Sequence, residues 1–600
     1  MSESHELPRR EFLRGIGIGA ITGGASLVGQ NALAATLCGP ASAVDAGEGR
    51  MTELLTDASC SLQVMAEWVA AVRYEDLPER VIQKAKIQVL NILAAMHAGY
   101  KYERGRAVID HVVELGGRGQ STIIPSGQQT SPNDAVFANA TMSICYDFDD
   151  YLFLGHTSHS AVTVPLALGE ALHLSFRDIL LAQVIANEVA GRLGGAILFG
   201  KTNGQLWTSI HCLGAACAAA KLLGLSRPQI EHAIGLALYQ PPFALFPGFL
   251  APDSKLTTAA TPTVMGLVAA QLARRGLTGS TQIITHRQGF LPIFACLPIP
   301  FLLTGWGRAW VTDTLAFKIY PGDAYIDTAV DAIMQILAQY EQRHGTRVIP
   351  PESFQSIEID ANLLTMETDV LAREYTDWEQ LQPINVNFTL RINLAIAFLA
   401  GRLTVDELSE DWLNNHRAAL RALVDKMILR HSTLETINLF QTVGQTINLG
   451  QVFGQFRLTE LLRGLQCMRE FYRQEGASAD DGQTDELEKW ILEQAKTGAG
   501  SLGFDLGDYD LDRLRIPFGT RMKVTLTGGE TYSATVRLPL GAPGRESLAE
   551  ISLRVEEKFR REAAALLTTQ QIEEVIATVR ELETVKDVGR LIRAAVAAGN

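Results

Sequence analysis

The sequence predicts a mainly α fold, a large all-helical domain into which a smaller α/β domain is inserted. Three observations predict it: helix-start signals recur between residues 62 and 300, strand-like alternation enters only after residue 310, and helical spacing returns in the tail. At 600 residues the chain exceeds what one hydrophobic core serves, so at least two domains are expected.

The elements follow in order. In "DLPERVIQKAKIQVLNILAAM" Asp76 is a cap candidate, Pro78 stands in the first turn and the apolar residues keep helical spacing. Ser131-Pro132-Asn133-Asp134 sets a carboxylate three residues after a cap and opens another helix; Ser175-Phe176-Arg177-Asp178 and Ser226-Arg227-Pro228-Gln229 repeat the signal. "LGAACAAAKLLGL" and "TPTVMGLVAAQLARRGLTG" are small-residue helices that can approach closely. Beyond residue 310, "FQSIEIDA" alternates as a strand, and "TRMKVTLTGGETYSATVRL" reads as a hairpin turned at Gly528-Gly529. "NFTLRINLAIAFLAG" between them is helical, "GASADDGQTDE" (476–486) reads as a polar linker, and the tail from "SLAEISLRVEEKFRREAAALL" onward is helical again. The helical domain is therefore expected over 51–312 and 546–600, with the α/β domain over 313–545.

A hydrophobic content of 47% with 20% charged residues fits a soluble globular protein. The formal charge of −14 leaves no basic excess to replace phosphate counterions and excludes nucleic acid as a general partner. Anionic small molecules are compatible with it where lysines are focused in one cleft. The seven cysteines (38, 60, 145, 212, 217, 296 and 467) form no CxxC pair and no even framework, so they are expected as buried small hydrophobes. Cys38 follows Leu37, where a lipoprotein signal needs a small residue, which argues against lipidation.

The N-terminus joins Arg9–Arg10, Phe12 and Leu13 to a weakly apolar, glycine-rich run and the small-residue sites Ala32-Leu33-Ala34 and Ala41-Ser42-Ala43. Residues 1–43 resemble a twin-arginine export signal; the plain alternative is an ordinary disordered terminus. The run falls short of the roughly 20 apolar residues of a membrane span, so no stable anchor is expected after signal removal. Such a signal uses the twin-arginine (Tat) export machinery and carries folded proteins, which implies a periplasmic location.

The segment "YDFDDYLFLGHTSH" (146–159) packs Asp147, Asp149, Asp150, His156 and His159 into one apolar stretch. Taken by itself it admits three accounts: a metal site, a solvated helix end with ordinary caps, or an acid/base site in which carboxylates position a histidine. No HExxH or second histidine pair supports the metal account.

Several further segments, in this order and spacing, bear on the choice: "YDFDDYLFLGHTSHSAVTVPLALGEAL", "RDILLAQVIANEVAGRLG", "LGAACAAAKLLGLS", "SKLTTAATPTVMGLVAAQLARRGLTG", "AFKIYPGDAY" and "EEKFRREA". With them the chain from about residue 62 resembles the 2-methylcitrate dehydratase and cis-aconitate decarboxylase family, MmgE/PrpD. The resemblance implies a homodimer in which a helical domain and a smaller lid domain enclose an active site for small di- and tricarboxylates, with no metal or organic cofactor. Carried over by motif, the first acid of D-F-D-D falls on Asp147, the helical-domain lysine on Lys255 and the lid lysine of F-K-x-[FY]-P on Lys318. The family's histidine after the acidic motif has His159 as its nearest match, one residue out of register, with His156 as a substitute. Three family positions change character: Tyr151 replaces the usual Thr, and Gln205 and Thr258 fall where histidines are usual.

The resemblance thus implies Lys255 and Lys318 as a carboxylate clamp, His159 as general acid or base, and Asp147 as its orienting group or a substrate ligand. Asp149 and Asp150 are read as structural caps, and His156, Tyr151, Gln205 and Thr258 as substrate contacts. The expected activity is a cofactor-independent lyase, a dehydratase or decarboxylase. An isomerase or epimerase sharing the same carbanion, or a degenerate exported carboxylate-binding protein, are the alternatives. Residues 425–512 exceed the family pattern and read as a helical insert. In "LTELLRGLQCMREFY" Leu458, Leu461, Leu462, Leu465, Met468 and Tyr472 form an apolar stripe, which packs on the lid, covers the cleft or extends a dimer interface.

Overall fold

The computed structural model describes residue 55 and residues 61–153, 155–250, 252–474, 481–498 and 505–597. The expected signal segment 1–43, with Cys38, lies outside the described residues, as does Cys60.

The helix Glu79–Tyr100 is buried along nearly its whole length and runs through the larger apolar core. It begins one residue after Pro78, whose extended backbone makes it the cap residue. Asp76, expected as the cap, instead closes the preceding turn by accepting from the Arg73 N–H at 2.9 Å. The other start signals hold: Ser131 accepts from Asp134 N, and Ser175–Asp178 and Ser226–Gln229 form capping boxes. Pro132–Ile144 packs across Glu79–Tyr100 at Gly99, where a Cβ would stand 2.0 Å from the Met142 carbonyl oxygen, so only glycine permits this approach. Ile210–Leu222 packs between Phe176–Ala196 and the apolar helix Ala260–Arg274. The tail helices Leu548–Ala563 and Thr569–Arg580 return to pack on Glu79–Tyr100.

A four-stranded sheet builds a second core. Its order is Thr531–Val536, Thr520–Leu526, Phe354–Ala361, Met427–His431, and only the last pair is parallel. The hairpin turns with Leu526 N–H donating to Glu530 O and Gly529 at φ +85°. Asp327–His344 and Leu390–Ala400 cover this sheet's apolar face.

Met427–His431 falls inside the stretch 425–512 read as a helical addition, so the helical part starts at Thr433. As an edge strand its burial alternates, with Ile428 43% exposed, but the apolar run Met427-Ile428-Leu429 shows no apolar–polar alternation in sequence. The helices Thr433–Gly444, Leu449–Gly454, Leu458–Gln474 and Asp481–Thr497 follow. Of the expected linker 476–486, residues 481–486 are therefore helical, and 476–480 lie outside the described residues.

The expected stripe divides. Leu461 and Leu465 are buried with Phe453, Phe456, Ile491 and Leu297, whereas Leu458 and Leu462 are 59% and 45% exposed. The seam is narrow because the helix meets the short strand Ala295–Leu297 edge-on at Gly464, where a Cβ would lie 3.0 Å from Leu297 Cβ. The side chains of Met468 and Tyr472 lie outside the described residues. Beside this seam Cys296 and Cys467 form a disulfide, Cα to Cα 5.8 Å, which corrects the expectation for these two. They are 171 residues apart, so no local spacing announced the pair. Cys145, Cys212 and Cys217 are free and buried, as expected.

Candidate active site

Two residues of backbone pairing create the site. Asp150 and Tyr151 pair antiparallel with Phe317 and Ala316, which sets the acidic segment against Lys318. The Lys318 N–H donates to Asp149 O at 3.2 Å and the Gly322 N–H to Tyr146 O at 2.9 Å, so both strand ends are tied. Asp147 takes a left-handed backbone conformation, φ +46°, an arrangement that costs free energy outside glycine and is concentrated at functional sites.

Every acid of the cluster is buried and held. Lys255 Nζ donates to Asp147 Oδ2, Gln205 Nε2 to Asp147 Oδ1, and Asn387 Nδ2 to Asp147 Oδ2 at 3.2 Å. Lys318 Nζ donates to Asp149 Oδ1 at 2.7 Å and to Asp147 O at 2.9 Å. Asp149 Oδ2 faces His156 Nδ1 at 2.8 Å and His159 Nε2 at 3.1 Å. Asp150 accepts from Gln88 at 3.0 Å and Asn91 at 3.3 Å. Asp149 is thus the hub of the cluster and Asp150 part of a buried amide network, rather than helix caps, because the chain turns into a strand here and not into a helix.

Burial and charge set the protonation states. For Asp149, burial opposes ionisation, but Lys318 and His156 outweigh it and hold the carboxyl well below the usual range. Lys318 is likewise disfavoured by burial, yet the Asp149 and Asp147 carboxylates raise its pKa above the ordinary value. Burial lowers His156, so its imidazole is neutral near pH 7. A neutral ring whose Nδ1–H donates to an ionised Asp149 presents Nε2 as a base. Lys255 is lowered by burial, with Asp147 acting against that; its ammonium also lies 4.1 Å from the Phe388 ring centroid.

Beside the cluster lies a cavity of about 530 Å³. Asp147, Tyr151, His156, Gln205 and Lys318 line it. His159, Lys255 and Thr258 do not. His159 is fully buried, with Nδ1 2.7 Å from Ser143 Oγ, and stands behind Asp149. Lys255 stands behind Asp147, and the Thr258 N–H donates to Lys255 O at 3.0 Å where the short helical turn Asp253–Thr257 ends. Thr258 is therefore placed away from the substrate contact expected for it.

Sequence reasoning missed three groups. Asp323 lines the cavity; burial, only partly offset by Lys318, pushes its carboxyl up to about 7, and its Oδ2 has no hydrogen-bond partner. It sits within "AFKIYPGDAY", five residues after Lys318, so proximity to the lysine motif was the available signal. Lys558, from "EEKFRREA", donates to Asn91 Oδ1 and Phe148 O at 2.7 Å and to Lys318 O at 3.0 Å, pinning the backbone that carries both Asp149 and Lys318. His211 packs edge-on to His159 at 5.7 Å and had no sequence signal. Among the described residues, no group of three His, Cys, Asp or Glu side chains is arranged to hold a metal ion.

Residues 63–297 match the MmgE/PrpD N-terminal domain. Over this stretch the chain is similar to the MmgE/PrpD family. The chain is 29% identical over 285 residues to the cis-aconitate decarboxylase of Homo sapiens, a match covering 43% of this chain and 56% of that protein. It is 24% identical over 313 residues to cis-aconitate decarboxylase of Aspergillus terreus, covering 49% and 64% of the two chains. It is 25% identical over 319 residues to cis-aconitate decarboxylase-like protein oryM of Aspergillus oryzae, covering 48% and 64%. The matches thus span less than two thirds of the length of these three relatives. Among MmgE/PrpD positions carried over from the sequence, the acid of D-F-D-D and both lysines meet in one buried cluster.

Proposed function

We propose that the protein is a cofactor-independent lyase that removes water or carbon dioxide from a di- or tricarboxylic acid. The observation that carries this reading is the Lys318–Asp149–His156 chain, which places a cation and a neutral imidazole side by side on the cavity wall. Two of the three Lys318 N–H groups are taken by Asp149 and Asp147, which leaves one for a substrate carboxylate oxygen. Lys255 completes the clamp indirectly by holding Asp147. The relatives, cis-aconitate decarboxylases by name, support a carboxylate substrate.

In a dehydration, His156 Nε2 takes the proton from the carbon beside the bound carboxylate. The C–H electron pair forms the double bond, and the β-hydroxyl leaves as water with a proton from Asp323, whose raised pKa keeps it partly protonated near neutrality. In a decarboxylation the C–C bond to the departing carboxylate breaks, its electron pair stays on carbon, and the same acid protonates that carbon. Charge building up on the remaining carboxylate is stabilised by Lys318 in a water-poor site. His159 acts through Asp149 in this scheme.

An isomerase would use the same base, and the replacement of usual histidines by Gln205 and Thr258 favours a ligand-binding role as a third reading. Incubation with a panel of citrate-like acids in deuterated water separates them. Loss of 18 or 44 mass units is expected for the lyase, whereas deuterium exchange without mass loss would replace it with the isomerase. Neither exchange nor turnover would sink both.

Export and dimerisation belong to the same reading. The Cys296–Cys467 disulfide suits an oxidising compartment such as the periplasm. The exposed apolar side chains Tyr239, Phe243, Leu245 and Ile293 give a surface for a second copy, Phe243 lying 6.2 Å from Phe294.

A further inference from the structure

The cavity is built for more than a small polar acid. Asp147, Tyr151, His156, Gln205, Lys318 and Asp323 bring the buried cluster and its immediate neighbours to the lining; Thr202, Tyr325, Glu367, Thr368 and Thr436 add further polar groups, and most of the remaining wall is aliphatic and aromatic. Much of that apolar wall comes from the segment after the sheet's edge strand: Leu439, Val443, Ile447, Phe453, Leu465 and Ile491. Leu465 and Ile491 bury against Leu297, so this addition stands on the helical core and closes over the cavity. Its volume, about 530 Å³, falls among cavities that enclose drug-sized ligands, about 300–1,000 Å³.

Charge decides what can fill it. Among the described residues lining the cavity, Lys318 is the only lysine or arginine. The carboxyl side chains on that lining are Asp147, Asp323 and Glu367, and burial pushes Glu367 up to about 7. A substrate with carboxylates along its length would bury them against apolar or acidic wall without a counter-charge, at a cost of several kcal/mol each. One with its carboxylates gathered at Lys318 and an apolar remainder meets a matching surface throughout.

We propose that the substrate is an amphiphilic acid: a carboxylate head at Lys318 and His156, and an apolar body of about eight carbons or more lying against the wall built by Leu439, Val443, Ile447, Phe453, Leu465 and Ile491. The inference rests on the carboxylate-site reading above and names the class of acid that site takes.

The test is calorimetric titration of the full-length protein with citrate, succinate, hexylsuccinate and decylsuccinate, with no turnover required. Affinity is expected to rise about fourfold per methylene until the cavity is filled. Decyltrimethylammonium, with the same tail and the opposite head, is expected to bind at least 100-fold more weakly than decylsuccinate. Val443→Asp is expected to weaken decylsuccinate far more than succinate; if that variant does not fold, the wild-type series alone still decides. Affinity independent of tail length, tighter binding of citrate than of decylsuccinate, or equal binding of the cationic amphiphile would each overturn the proposal. Tail-dependent binding without mass loss or exchange would refute the lyase and leave this inference standing; turnover of citrate-like acids without tail dependence would do the reverse.

Discussion

Lys318 Nζ lies 2.7 Å from Asp149 Oδ1, both side chains fully buried, and the pair joins segments that a two-residue β-pairing brings together. Removing one partner of such a pair leaves an uncompensated buried charge. Lys318→Met is expected to cost about 3–5 kcal/mol of stability and to abolish carboxylate binding. In a double-mutant cycle by urea unfolding, adding Asp149→Asn should recover part of the stability but none of the binding. Wild-type affinity in Lys318→Met would remove the lysine from the site.

Asp323 supplies a pH signature. Its folded carboxyl titrates at about 7, against about 3.9 unfolded, so the folded state retains a proton that the unfolded chain has lost. Stability contributed by this group therefore falls as pH rises from about 4 to about 7 and then levels. Asp323→Asn removes this group's share of the dependence, and its stability relative to wild type should be greater at pH 8 than at pH 5. Buried Asp150 titrates in the same range and keeps part of the slope in the variant. An identical pH profile for variant and wild type would contradict the assignment.

Lys558 touches no cavity wall, yet it satisfies three buried oxygens, on Asn91, Phe148 and Lys318. Lys558→Met strands all three, at about 1–3 kcal/mol for each unsatisfied acceptor. The expected result is a lower melting temperature together with a reduced kcat, because the backbone of both Asp149 and Lys318 loosens. An unchanged kcat in a destabilised protein would make the contact purely structural.

The Cys296–Cys467 bridge closes a loop of 171 residues, so a chain-entropy argument gives it at most about 5 kcal/mol. Replacing both cysteines by Ala should lower the unfolding midpoint and speed proteolysis within 433–497, the segment the bridge ties to Ala295–Leu297. If reduction leaves both unaltered, the bridge does not hold the added helices in place.

Arg9→Lys combined with Arg10→Lys should trap the protein in the cytoplasm, read by fractionation. Unchanged periplasmic recovery would contradict the export signal.

Local chemistry in the sequence was enough for the helix starts at Ser131, Ser175 and Ser226, the strand Phe354–Ala361 and the hairpin at Gly529, because caps, alternation and turn residues act over a few positions. Asp147, Lys255 and Lys318 are singled out only through the resemblance to the family's motifs. Tertiary structure alone decided which histidine meets the cavity: His156 and His159 both reach Asp149 Oδ2, and only the fold puts His156 on the lining and His159 behind it. It likewise decided the edge strand Met427–His431, the Cys296–Cys467 pair, the role of Lys558 and the apolar wall from the added helices. Each depends on contacts between residues tens to hundreds of positions apart, and burial, pairing and electrostatic environment at that range come from packing rather than from neighbours along the chain.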